Sequence, residues 1–126
     1  MDEIRDASIL LSVREGLGLE KDDTSFDSDI IPHLNGAINT IIQAGAGLPT
    51  FVMNETAKWG DFVPLEVDPI KQSALGAIVL YVTLKVRVLF DPPSAGTMAV
   101  LTQVIDEQLY RIYMAYDADN ARDVMS

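Results

Sequence analysis

Few residues in this chain could do covalent or metal chemistry. There is no cysteine, so a thiolate nucleophile, a thiolate metal site and a disulfide are excluded. His33 is the only histidine. One imidazole, with no motif setting a serine beside it and no second ligand, makes neither a triad nor a metal site. It reads as a surface or interface residue. Asp27 and Asp29 alternate as in a calcium loop, but the central glycine and terminal glutamate are missing. Ser25, Asp27, Ser28 and Asp29 suit the cap and first turn of a helix instead. Gly45-Ala46-Gly47 is half of a dinucleotide fingerprint, but it follows a helical stretch and has no phosphate-loop lysine. No pair of carboxylates is set apart from a solvated acidic face. No catalytic residue, metal or cofactor is expected, and the balance points to a binding or structural protein.

What remains is the chemistry of contact. Trp59, the only tryptophan, stands with Asp61 and Phe62 in the motif KWGDF. It reads equally as a lid on its own core or as an anchor into a partner. Lys85 and Arg87 interrupt the longest apolar run, Leu75 to Pro93. Either their stems lie along apolar surface while the charges reach water, or they pair with acids of a neighbouring subunit. They also argue against a membrane span, which needs about 20 mostly apolar residues. Tyr110, Tyr113 and Tyr116 crowd one stretch, and tyrosine is enriched in contacts with partners.

The elements that position these residues are helical by period. Ile4 to Arg14 has a broad apolar face, with Gly16 and Gly18 as stops. A second helix runs from Asp27 or Asp29 to Ala44 on Ile30, Leu34, Ala37, Ile38, Ile41 and Ile42, with Pro32 near its start. The central run is ambiguous. Leu75, Ile78, Val79, Val82, Val86 and Leu89 make a helical stripe, while residues 83–90 also alternate as a strand would. Its length favours a helix, and Pro92 stops it near Leu89 or Phe90. Ser94 or Thr97 caps a last amphipathic helix on Met98, Leu101, Val104, Ile105, Leu109, Ile112 and Tyr116. Tyr110, Tyr113 and Met114 lie off that stripe. The expected fold is all-α, a bundle of about four helices near 3–15, 28–44, 70–90 and 97–116. A long irregular loop, 46–69, leaves room for short strand content. Residues 1–116 form one domain and 117–126 a polar tail, mobile unless something binds it.

The 126 residues suffice for one core without staples. The formal charge is −10, of which residues 1–29 carry −6. Such a surface repels phosphate, which excludes nucleic-acid binding through a basic footprint. The acidic start, MDEIRD, is unlike a signal peptide, so a cytosol-like compartment is expected.

In order, ILLSVREGLGLEKDDTSFDSDI, KWGDF and LYVTLKVRVLFDPP resemble the small head–tail connector (adaptor) proteins of tailed bacteriophages, above all those of siphophages infecting Gram-positive hosts. The likeness runs from about Ile9 to Tyr110 and is weaker after Asp91-Pro92-Pro93. It implies a helical bundle, and so a helix for Leu75 to Phe90. It implies no enzyme activity. It implies a dodecameric ring in the virion neck, made in the host cytoplasm. That ring would dock beneath the portal protein, above a stopper or tail-completion protein, and pass DNA without binding it specifically. On this resemblance Trp59, Asp61, Phe62, Lys85, Arg87 and Asp91 are candidates for the contact between copies. Tyr110, Tyr113, Tyr116, Asp117 and Arg122 are candidates for the portal contact. The alternative is an acidic cytosolic helical interaction module, antitoxin-like or regulatory, which leaves KWGDF unexplained.

Overall fold

The computed structural model describes residues 2–125 except 45–47, 49–50, 52 and 64–68. The side chains of 2–3 and 117–125 are also outside the description. Among the described residues six helices follow in order: α1 (Asp2–Asp6), α2 (Ile9–Gly16), α3 (Asp27–Gln43), α4 (Trp59–Phe62), α5 (Pro69–Phe90) and α6 (Ala95–Met125). The fold is all-α. Among the described residues the one β feature is an isolated antiparallel bridge, Ser8 to Lys58.

That bridge explains a departure from expectation. The single helix near 3–15 is two helices, broken at Ala7 and Ser8 by hydrogen bonds from far along the chain. The Trp59 amide donates to the Ala7 carbonyl at 3.2 Å, and the Ile9 amide to the Ala57 carbonyl at 3.0 Å. Ser8 then restarts the chain as the cap of α2, accepting from the Leu11 amide at 3.2 Å. α2 ends as its glycines predict. Gly18 has φ +81, and the Leu19 amide turns back to the Arg14 carbonyl at 2.9 Å. The loop expected over 46–69 likewise contains α4, with the Lys58 amide donating to the Asp61 carboxylate at 2.9 Å at its start. The Gly45-Ala46-Gly47 stop lies outside the described residues, although α3 ends at Gln43.

α5 is the axis of the bundle. Pro69 opens it, where a missing N–H costs nothing. α6 folds back along it after the Asp91-Pro92-Pro93 turn, and α2 and α3 cover other sides. Gly16 approaches α5 so closely that a Cβ there would stand 2.4 Å from the Thr83 methyl. Cover on several sides is why its apolar residues follow no single stripe. Leu75, Ile78, Val82 and Val86 are buried as the helical period requires, and Tyr81 joins them. Leu89 does not. It is 46% exposed in the last turn, where the chain leaves for the double proline. Val82→Ala should therefore cost about 2 kcal/mol, and Leu89→Ala about 0.5 kcal/mol. Urea unfolding of the two variants checks this, and equal costs would mean that the core is misplaced.

α6 starts at Ala95, the Ser94 carbonyl accepts from the Met98 amide at 2.8 Å, and the Ser94 hydroxyl donates to the Thr97 hydroxyl at 3.2 Å. Ile105, Ile112 and Ala115 are buried, and Met98, Leu101, Val104, Leu109 and Tyr116 are half-buried, so the amphipathic stripe is as expected. The helix continues past Tyr116 to Met125, through the stretch read as a polar tail.

Candidate functional site

Among the described residues the most exposed large apolar side chains lie on α6. Val100 is 59% exposed and Tyr110 64%, and Tyr113 and Met114 are exposed as well. A helix that packs one stripe inward should present polar residues on the other side. Tyr110 stands at the junction of two hollows. One, of about 580 Å³, runs between α5 and α6 and is walled by Ile70, Ala74, Ala77, Met114 and Arg111. The other, of about 370 Å³, lies toward the end of α3, with Ala44, Asp106, Leu109 and Tyr113. Both are apolar in the main and open to solvent. Their charged groups are Arg111, held by Glu107 at 2.6 Å, and Asp106, and Ser73 and Gln108 add neutral polar groups to the larger one. Open, mostly apolar hollows beside exposed aromatic side chains have the composition of contact surfaces.

The titrating groups agree with that chemistry. Burial pushes the Tyr81 phenol above its ordinary value, a hydrogen bond with Thr40 opposes the shift, and the Asp106 carboxylate adds to it. The result is a neutral phenol among α3, α5 and α6. The Ser25 hydroxyl and amide donate to Asp23 and hold it below the usual carboxylate range. That is an exposed turn fixing its own shape. Among the described residues no cluster of histidine and carboxylates could hold a metal ion.

The model of the phage connector protein family matches residues 9–119, most of the chain. The chain belongs to the phage connector family. No curated protein and no solved structure matches it significantly. Connectors are structural proteins of the head–tail junction, and an all-helical subunit with an exposed aromatic helix face suits that class.

In this connector the residues singled out from the sequence separate into groups. Trp59 and Phe62 are wholly enclosed by their own chain, and the Trp59 indole N–H donates to the Ser12 hydroxyl at 3.2 Å. Of the two readings of Trp59, the geometry carries the lid. Neither ring has side-chain surface to offer another copy in this conformation. Asp61 is exposed but already serves the start of α4. Lys85 is half-buried and Arg87 and Asp91 are exposed, all at the end of α5. Tyr110 and Tyr113 are exposed, whereas Tyr116 packs against the core. The side chains of Asp117 and Arg122 lie outside the described residues.

One feature of the connector escaped the sequence reading. Arg14 is buried, 6% exposed, and its guanidinium bridges Asp27 at 2.5 and 3.1 Å while donating to the Lys21 carbonyl at 2.7 Å. It clamps the acidic segment between α2 and α3. Val100 was also missed, because it falls outside both the stripe and the tyrosine cluster.

Proposed function

We propose that this connector assembles as a ring at the head–tail junction and docks on the portal protein through the outer face of α6. The observation that carries the reading is the exposed set Val100, Tyr110, Tyr113 and Met114 on a helix of 31 residues. α5 has only 22 residues, so α6 outruns the helix it packs against by nine. At about 1.5 Å per residue that is roughly 13 Å of helix beyond the length α5 can cover. Aromatic and methionine side chains are enriched in interface cores. A downstream tail-completion protein would meet the opposite face of the ring. A net charge of −10 suits a conduit, because phosphate contacts would retard passing DNA.

Ending the chain after Tyr116 keeps Ile105, Ile112 and Ala115, so the truncated protein should stay folded, with little change in thermal unfolding. It should fail to join portal-bearing heads to tails. Electron microscopy of particles made with the truncated protein tests the far end of α6, and the same readout on Tyr110→Asp with Tyr113→Asp tests the exposed set itself; heads that join tails normally in both cases would overturn the assignment to α6.

A further inference from the structure

α5 is long and apolar enough, by length and composition, to cross a membrane, yet 33% of its most apolar stretch is buried within the chain. Other helices cover most of it, and of its large apolar side chains Ile70, Leu80 and Leu89 are the exposed ones. Its last turns carry Lys85 and Arg87, and neither side chain has a partner among the described residues, with exposed Leu89 beside them. Four of the other bases are engaged: Arg5 by the Val63 carbonyl, Arg14 by Asp27, Lys21 by Glu15 and Arg111 by Glu107. Two free bases so close together are conspicuous in a chain of net charge −10. Copies of such a chain repel one another unless bases sit where they touch.

The same chain has a place that fits this end. A cleft of about 880 Å³ opens between α1, α2 and the turn before α4, with Asp6, Leu11 and Glu55 in its wall. A cavity of that size admits the bulk of several side chains. Arg14 and Asp27, which also line it, neutralise each other. That leaves Asp6 and Glu55, neither with a side-chain partner among the described residues, against Lys58. Leu11 is an exposed apolar residue in the wall, as Leu89 is beside the bases. Each side thus offers one exposed apolar residue, and the charges are opposite: two bases, Lys85 and Arg87, against one acid, Asp91, at the end of α5, and two acids, Asp6 and Glu55, against one base, Lys58, in the cleft.

We infer that the Lys85–Leu89 end of α5 seats in the Asp6–Glu55 cleft of a second copy of this chain. The inference rests on the ring reading and names its contact. Each copy offers the end of α5 to one neighbour and the cleft to the other, a heterologous pairing of the kind that closes rings.

The test is charge reversal in assembling particles. Arg87→Glu alone and Glu55→Arg alone should each lower incorporation into virions roughly tenfold or more, since like charges then meet at the contact. The double variant should restore it to within a few-fold. Single variants with no effect, or folded singles that the double fails to rescue, overturn the inference. Cross-linking supplies a second readout if a reversal does not fold. The chain has no cysteine, so Glu55→Cys and Arg87→Cys subunits assembled together should give an oxidised dimer joining one of each. Virions that contain both subunits at the neck without that dimer overturn the contact but leave the connector role standing. If the unaltered protein is absent from the neck, the connector reading has failed and the contact falls with it.

Discussion

Trp59→Ala should destabilise the chain by about 3–5 kcal/mol, the cost of emptying a large aromatic site in a core. The side chain is 0% exposed, and its indole N–H reaches the Ser12 hydroxyl at 3.2 Å. Phe62 lies on the same short helix and packs on Phe51 with ring centroids 5.3 Å apart. α4 also holds α1 to the bundle. The Trp59 amide bonds the Ala7 carbonyl, and the Arg5 guanidinium bonds the Val63 carbonyl at 2.5 Å. Losing the indole therefore loosens three elements together. A domain of this size has about 5–15 kcal/mol in total, so the variant should stand near the edge of folding. Trp59→Phe should cost less, about 1–2 kcal/mol, because most of the apolar volume stays. Ser12 is not orphaned, since its hydroxyl also donates to the Ser8 carbonyl at 2.7 Å. Urea unfolding followed by far-UV circular dichroism measures both, tryptophan fluorescence being lost with the residue. An alanine variant as stable as the parent but defective in assembly would return Trp59 to the role of partner anchor.

The sequence was readable where its signals are local. The first-turn acids Asp27 and Asp29 mark the start of α3 at Asp27, although its N-cap is Phe26 with no side-chain cap bond, and Asp91-Pro92 ends α5 at Phe90. The last helix kept its stripe because one face of α6 meets the bundle and the rest meets solvent. The break between α1 and α2 was not readable, because its cause is the backbone at Ala57 and Trp59, some fifty residues away. The period of α5 was ambiguous for a similar reason. A helix covered by α2, α3 and α6 needs apolar residues on several sides, and periodicity then loses its contrast.

The candidate site was legible to the same degree. Tyr110, Tyr113 and Met114 stood out because they are apolar or aromatic and lie off an inward stripe, which is a local property. Trp59 could not be settled, because composition gives a side chain's appetite for burial but not which molecule buries it. Arg14 gave no sign at all. An arginine in the last turn of a short helix usually lies at the surface, favoured there by the helix dipole. Its partner is supplied only when the acidic segment folds back.

That partnership carries the second large effect. Asp27→Ala should cost about 3–5 kcal/mol, because it leaves a buried guanidinium without its counter-charge. The Arg14 side chain is 7% exposed and Asp27 17%, so the two partners are not equivalent. Arg14→Met removes the more buried charge and replaces it with an apolar chain of similar length. The Asp27 carboxylate left behind lies nearer to water and in the first turn of α3, where the dipole favours an acid. Arg14→Met should thus cost less, about 1–2 kcal/mol, mainly from the lost bond to the Lys21 carbonyl at 2.7 Å. The double variant should be more stable than Asp27→Ala alone, since no buried charge remains unpaired. Urea unfolding of all three gives the coupling directly, and strictly additive costs would show that the pair does not act as a unit. The order has a consequence for assembly. Arg14 and Asp27 both line the cleft assigned to the neighbouring copy, so Arg14→Met makes that cleft more acidic while leaving the fold standing. The basic end of α5 should then be received at least as well as before. A variant of lower stability and undiminished incorporation into virions is the result that separates the clamp's role in folding from the cleft's role in contact.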